Sequence, residues 1–229
     1  MNKTIKQIIW ENKQIIWENI ELVLIALAIV IPIKIFLIQP FIVKGSSMEP
    51  NFYTNDFLIV DEISYYFRKP QRYEVIVLKA SDQGALYYSK NSIGLNLLAK
   101  IWGQYYIKRI IGLPNETVII NNGEVSVITF ENKKINIDES YLSPNTLTNG
   151  NLLIKLKPNQ YFVLGDNRNV SYDSRSWGPL DRNKIVGRVW LRVWPLNRIT
   201  IFNNPIKPLT INFNFIFKQF HSAYARYKK

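Results

Sequence analysis

Two adjacent serines, Ser46 and Ser47, lie between a glycine and Met-Glu-Pro in the stretch VKGSSMEPNF, residues 43–52. A serine presented in a turn can attack a carbonyl, but its hydroxyl is inert at neutral pH until a neighbouring base takes the proton. The chain has a single histidine, His221, close to its C-terminus in a lysine-containing tail. The base has to be sought elsewhere. Ser46 and Glu49 also fit the Ser-x-x-Glu capping box of a helix start. Pro50 weakens that reading: it would fill the fourth helical position, whose N–H makes the first intrahelical bond, and proline has none. A tight loop presenting a serine is therefore expected.

A lysine can serve as the base if it is kept from water. Read as a strand, YYIKRIIGLP (residues 105–114) alternates Tyr106, Lys108 and Ile110 on one face with Ile107, Arg109 and Ile111 on the other. An ordinary strand lysine snorkels to solvent, but one flanked on its own face by Tyr and Ile is a candidate for burial. At its usual pKa of about 10.4, only about 0.04% of lysine is neutral at pH 7. Desolvation penalises the ammonium and can lower that pKa by roughly three units. The neutral amine could then deprotonate Ser47.

The third chemical stretch is GDNRNVSYDSRSWGPL, residues 165–180, directly after the apolar QYFVL. It supplies Asp166, Arg168, Asp173 and Arg175 together with the hydroxyls of Ser171 and Ser174. A polar loop following a strand is a common place for function, and paired Asp and Arg also brace loops internally; the two roles are compatible. A calcium loop is not expected, since the EF-hand glycine is missing and too few carboxylates alternate.

Composition narrows the chemistry further. The absence of cysteine excludes a disulfide scaffold, a thiolate metal site and a cysteine nucleophile. One histidine weighs against zinc, and no metal or cofactor is expected. The net charge of +12 would suit an anionic partner. The excess is scattered along the chain rather than run together, so nucleic-acid binding is not expected as the main function.

The elements that must position these residues begin with a repeated hexapeptide, QIIWEN, at residues 7–12 and 14–19. The heptad offset aligns Ile8 with Ile15 and Trp10 with Trp17 on one helix face. Two heptads are short for a coiled coil, and an amphipathic helix with interfacial tryptophans at a membrane surface is the simpler reading. From Leu22 to Ile38 every residue is apolar except Pro32 and Lys34. At about 1.5 Å per residue, Ile20 to Ile38 covers roughly 29 Å, one hydrocarbon core. A cleavable leader would need small residues after the apolar run, and IKIFLIQPFIV offers bulky ones. An uncleaved anchor is expected, with a buried core helix as the alternative. Lys3, Lys6 and Lys13 favour a cytoplasmic N-terminus, although Glu11 and Glu18 dilute the bias.

Beyond residue 40 the pattern turns to strands: DFLIVDEI, YEVIVLKA, YYIKRIIGL, ETVIINNGEVSVITF, QYFVLGD and KIVGRVWLRVW. Asn-Gly between apolar runs in INNGEVSV predicts a hairpin, and SIGLNLLAKIW, residues 92–102, is the expected helical insert. The fold class is mainly β: a single N-terminal transmembrane helix followed by an antiparallel β domain. The divisions are an amphipathic segment 1–19, an anchor 20–39, a catalytic β domain 40–202, and a basic aromatic tail 203–229 that could lie against lipid headgroups.

Taken together the three segments resemble bacterial type I signal peptidase, a membrane-bound serine protease with a Ser-Lys dyad, over most of residues 20–200. Ser47-Met48-Glu49-Pro50 matches its Ser-Met-x-Pro motif, Tyr106 through Pro114 its Tyr-Ile-Lys-Arg-x-x-Gly-Leu-Pro motif, and Gly165 through Gly178 its Gly-Asp-Asn-Arg motif. The resemblance implies Ser47 as nucleophile and Lys108 as base. It implies Ser171 orienting the amine, Asp173 with Arg175 and Arg109 as a bracing ion-pair network, and the Ser47 N–H in the oxyanion hole. Gly45 stands where some members carry a further hydroxyl donor. An extended substrate would lie between residues 41–44 and 104–107, with small apolar pockets lined by Phe41, Val43, Met48, Phe52, Tyr106 and Ile107. Departures are Asn169-Val170 for the usual Asp-Asn and Asn51 for the usual threonine, while residues 80–104 have no assignable counterpart.

The implied activity is removal of signal peptides from exported preproteins, cutting after small residues. The implied place is the outer face of the bacterial inner membrane, with the lipid bilayer as partner, a single pass, and no nucleic acid. Two rivals remain. Self-cleaving repressors share the dyad logic but are soluble DNA-binding regulators, against which the Leu22–Ile38 run argues. A catalytically dead β domain that binds partners is disfavoured by the joint presence of Ser47, Lys108 and Ser171.

Overall fold

Alternating and fully apolar runs in this chain become antiparallel strands, in a computed structural model that describes residues 19–26, 39–79, 105–203 and 206–210. Two units divide between Gln39 and Pro40. In the first, residues 19–26 are helical, and Leu22, Val23, Leu24 and Ile25 are each more than half exposed. Among the described residues no helix is long and apolar enough to cross a membrane. Residues 27–38, which carry most of the expected anchor, lie outside the described residues, as do the QIIWEN repeats up to residue 18, the expected helix at 92–102 and the tail beyond 210.

The strands, in the second unit except for the first residue of β1, are β1 (Gln39–Ile42), β2 (Phe57–Asp61), β3 (Val75–Lys79), β4 (Tyr105–Gly112), β5 (Thr117–Asn121), β6 (Glu124–Ile128), β7 (Lys134–Asn136), β8 (Leu152–Lys155), β9 (Gln160–Leu164), β10 (Leu180–Asp181), β11 (Ile185–Trp194), β12 (Thr200–Ile201) and β13 (Leu209–Thr210). Among the described residues these make a larger sheet in the order β1-β2-β11-β3-β4-β9-β10, extended by β12 and β13 beside β11, and a smaller one in the order β7-β6-β5-β8.

The six expected strand segments contain β2, β3, β4, the β5–β6 pair, β9 and β11. The hairpin turn is Asn122-Gly123, with φ of 51° and 86°, the left-handed pair that a two-residue turn of this kind requires. The strands not anticipated, β1, β7, β8, β10, β12 and β13, have four residues or fewer, too few for a period of two to register. One of them changes a boundary: Leu209–Thr210 pairs with β12, so the sheet reaches past residue 202 into what was expected to be tail.

β3 explains why its sequence is continuously apolar. Val75 and Val77 enter a core with Val43, Met48, Phe52, Leu58, Val60 and Val189. Ile76 and Leu78 enter another with Ile110, Val163 and Leu180. A strand buried on both faces has no polar alternation. It pairs antiparallel with β4, setting Ile76 opposite Lys108 and Val75 opposite Arg109. β9 joins β4 only from Arg109 onward, so the Tyr105–Lys108 half of β4 is hydrogen-bonded to a strand on one side among the described residues. A third core, around Ile111, Val118, Val127 and Phe162, fills the space against the smaller sheet.

Candidate active site

Residues 47–50 form a turn, not a helix, as Pro50 requires. The loop is closed by Glu49 N–H donating to the Ser46 carbonyl (3.2 Å) and Phe52 N–H to the Met48 carbonyl (2.9 Å). Met48 and Phe52 are both 0% exposed and pin the loop to the core, with the Phe52 ring stacked on Phe202 at 5.0 Å. Ser47, directly before Met48, is thereby held against this core and is itself half-buried.

Opposite it, Lys108 is 3% exposed. Its Nζ lies 2.8 Å from Ser47 Oγ and 3.0 Å from the Ile107 carbonyl oxygen, and 5.7 Å from the centre of the Tyr106 ring. Burial pulls its pKa down from 10.5 to about 8. The negative charges of Asp173 and Asp166 act against that fall, and Arg175 adds to it. A pKa near 8 leaves roughly a tenth of the amine neutral at pH 7, against a few hundredths of a per cent for a solvated lysine.

The segment 165–178 wraps this pair from the other side. Asp173 is 0% exposed. Its carboxylate caps the helical turn Ser174–Trp177 by accepting from the Arg175 N–H. It also accepts from Arg175 Nε (2.9 Å), Arg175 Nη2 (2.9 Å) and the Gly165 N–H (3.0 Å). Arg109 does not join this group. It makes a separate two-pronged pair with Asp166, Nε to Oδ1 at 2.8 Å and Nη2 to Oδ2 at 2.6 Å, while Nη1 donates to the Tyr73 carbonyl at 2.9 Å and the guanidinium lies 4.1 Å from the centre of the Tyr141 ring. The correction follows from alternation: as Lys108's neighbour in β4, Arg109 projects from the opposite face and meets a different carboxylate. The fully buried Arg168 donates to the Gly165 carbonyl (3.2 Å), Tyr141 Oη (3.0 Å), Glu139 and Thr148.

Ser171 also differs from expectation. Its Oγ is buried with no hydrogen-bond partner among the described residues, the Lys108 amine included. It packs over Gly165, where an added Cβ would meet both Ser171 Oγ and the Ser47 carbonyl oxygen. Glycine is thus required at the point where the two loops cross.

The expected substrate-facing residues divide. Met48 and Phe52 have no exposed surface, and Val43 is 5% exposed; all three are core and shape the site from behind. Phe41, Tyr106 and Ile107 are half-buried and remain able to touch a bound chain. The Phe41 and Tyr105 rings meet edge to face at 5.3 Å, joining the two segments expected to flank substrate. No group of three or more His, Cys, Asp or Glu among the described residues could hold a metal ion.

Asp166 and Asn51 were named in the sequence without a role, yet both meet at the site: Asn51 Nδ2 donates to Asp166 Oδ2 at 2.8 Å. Only the Asp-Arg pairing in the 165–180 stretch hinted at this; residues 115 apart in sequence carry no local signal of contact.

The family model for signal peptidase, peptidase S26, matches residues 16–194. A probable signal peptidase I-2 from Synechocystis is 38% identical over 180 residues, covering 78% of this chain and 73% of its own. Signal peptidase I from Leptolyngbya laminosa is 35% identical over 176 residues, covering 76% and 78%. A crystal structure of a signal peptidase I from Enterococcus faecalis covers 53% of this chain and 97% of its own at 25% identity, with a TM-score of 0.36, too loose a superposition to argue from. The chain belongs to the signal peptidase family, peptidase S26, a family of serine proteases.

Proposed function

We propose that this protein is a membrane-anchored endopeptidase that removes N-terminal signal peptides from exported preproteins with Ser47 as nucleophile and Lys108 as general base. The observation that carries the reading is the 2.8 Å approach of a buried lysine amine to Ser47 Oγ. The names of the relatives supply the substrate class. Ser47 Oγ attacks the scissile carbonyl as neutral Lys108 takes its proton; the ammonium then returns that proton to the departing amine. Water, deprotonated by the same amine, hydrolyses the ester. Asp173 and Asp166 favour the transient ammonium. The Ser47 N–H serves the oxyanion. Gly45 brings no hydroxyl of its own; its N–H donates to Thr54 Oγ1 at 3.1 Å.

Substrate binds extended along the Tyr105–Lys108 half of β4, which is paired to a strand on one side only among the described residues, adding a strand through backbone hydrogen bonds, with Phe41, Tyr106 and Ile107 against its side chains. The apolar run Leu22–Ile38 anchors the chain in the inner membrane with the β domain on the outer side; the exposed apolar side chains of helix 19–26 suit lipid. Preprotein cleavage by purified full-length enzyme tests the reading. Ser47→Ala and Lys108→Ala should each abolish it, and wild-type kcat/KM should rise with pH to a midpoint near the Lys108 pKa of about 8. Equal processing by wild type and Ser47→Ala would overturn it.

A further inference from the structure

Asn51 closes the nucleophile loop four residues after Ser47. Besides its bond to Asp166, its Nδ2 donates to the Tyr141 carbonyl oxygen at 2.8 Å. Its backbone is held in the same frame: the N–H donates to the Met48 carbonyl at 3.0 Å, and the carbonyl accepts from Arg192 Nη1 at 2.7 Å. Asp166 is clamped by Arg109, the neighbour of Lys108 in β4. The next residue, Asn167, donates its N–H to the Ser47 carbonyl at 3.0 Å. The loop bearing the hydroxyl is thus fastened near both ends to the dipeptide Asp166-Asn167, and that dipeptide is fastened to the strand bearing the amine.

We propose that Asn51 is a positioning residue, which locks the nucleophile loop against the Arg109–Asp166 pair and so sets the approach of Ser47 Oγ to Lys108 Nζ. Both acceptors are needed for the lock, and an amide NH₂ has two hydrogens to give. Threonine at this position has one hydroxyl hydrogen on a shorter side chain and serves one acceptor at most. Small displacements matter here, because a misplacement of about 1 Å in a reacting pair can cost about a hundredfold in rate.

The same bond has an electrostatic consequence. The charged groups acting on Lys108 are Asp173 and Asp166, which favour its protonated form, and Arg175, which opposes it. An N–H on Asp166 Oδ2 offsets part of that carboxylate's field. Removing it strengthens the field at the amine, so the acid limb of the rate profile moves to higher pH.

This inference rests on the Ser47–Lys108 reading. The test uses the full chain in detergent micelles, with kcat and KM for preprotein cleavage measured across pH and thermal unfolding measured alongside. Asn51→Leu, similar in size and without donors, should lower kcat about tenfold or more, leave KM within about twofold and shift the acid limb up by about half a unit. Asn51→Thr, keeping one donor, should fall between wild type and Asn51→Leu. An unchanged kcat, or a lower kcat and unfolding temperature with an unmoved limb, overturns the inference and leaves Asn51 a merely structural residue. If wild type shows no lysine-controlled limb, the dyad reading itself fails; a limb present in wild type and unmoved in the variants sinks only the role of Asn51.

Discussion

Replacing the buried lysine by methionine should abolish catalysis and stabilise the fold. Lys108 falls from 10.5 to about 8 on folding, chiefly through desolvation. At about 1.4 kcal/mol per unit, this costs about 3 kcal/mol of stability at neutral pH. The sign follows from proton counting. Between about pH 8 and 10.5 the unfolded chain holds a proton that the folded chain has released, so stability rises with pH across that window. Below it the penalty is fully present; above it the penalty has gone. Methionine fills a similar slender volume without charge but forfeits the contacts to Ser47 Oγ and the Ile107 carbonyl, about 1 kcal/mol together or somewhat more. Lys108→Met should therefore gain about 1–2 kcal/mol at pH 7, roughly 3–6 °C in Tm for a chain of this size, and should gain nothing near pH 10.5. Unfolding of both proteins in the same detergent at pH 7 and pH 10.5 makes the measurement. A variant less stable than wild type at pH 7, or a difference independent of pH, would refute the account of Lys108 as a desolvated amine.

Two further predictions concern the frame around the dyad. Arg109→Leu leaves the 2% exposed Asp166 without its counter-ion and should cost about 3–5 kcal/mol in denaturant unfolding; adding Asp166→Asn should recover a large part of that loss, and no recovery would show that the pair is not the source. Gly165→Ala places a Cβ against Ser171 Oγ and the Ser47 carbonyl oxygen, so preprotein cleavage should fall by about tenfold or more while the protein remains folded by circular dichroism. Wild-type activity in that variant would mean the loops can part without moving Ser47.

The two ion pairs divide labour in a way that bears on the base. Asp173–Arg175 brings opposite charges to bear on Lys108, and their effects partly cancel. Arg109–Asp166 ties strand to loop. Desolvation is left as the largest influence on the amine, which suits the proposed role of Lys108 as a base that is neutral to act and carries a proton in passing.

Local order in the sequence determined much of this protein. Short runs rich in β-branched and aromatic residues and an Asn-Gly placed the principal strands and the hairpin, Pro50 kept the serine loop out of a helix, and three spaced motifs named the proposed reacting pair. Alternation also put Lys108 and Arg109 on opposite faces of one strand, because side-chain direction is a property of the local backbone. What stands opposite each face is not. That Asp166, rather than Asp173, receives Arg109, that Ser171 Oγ finds no partner among the described residues, that Met48 and Phe52 are core and not lining, and that Asn51 ties loop to ion pair were decided by contacts between segments far apart in the chain. The acidity of Lys108 belongs with them, since the sequence supplies an amine but only the surrounding packing removes its water.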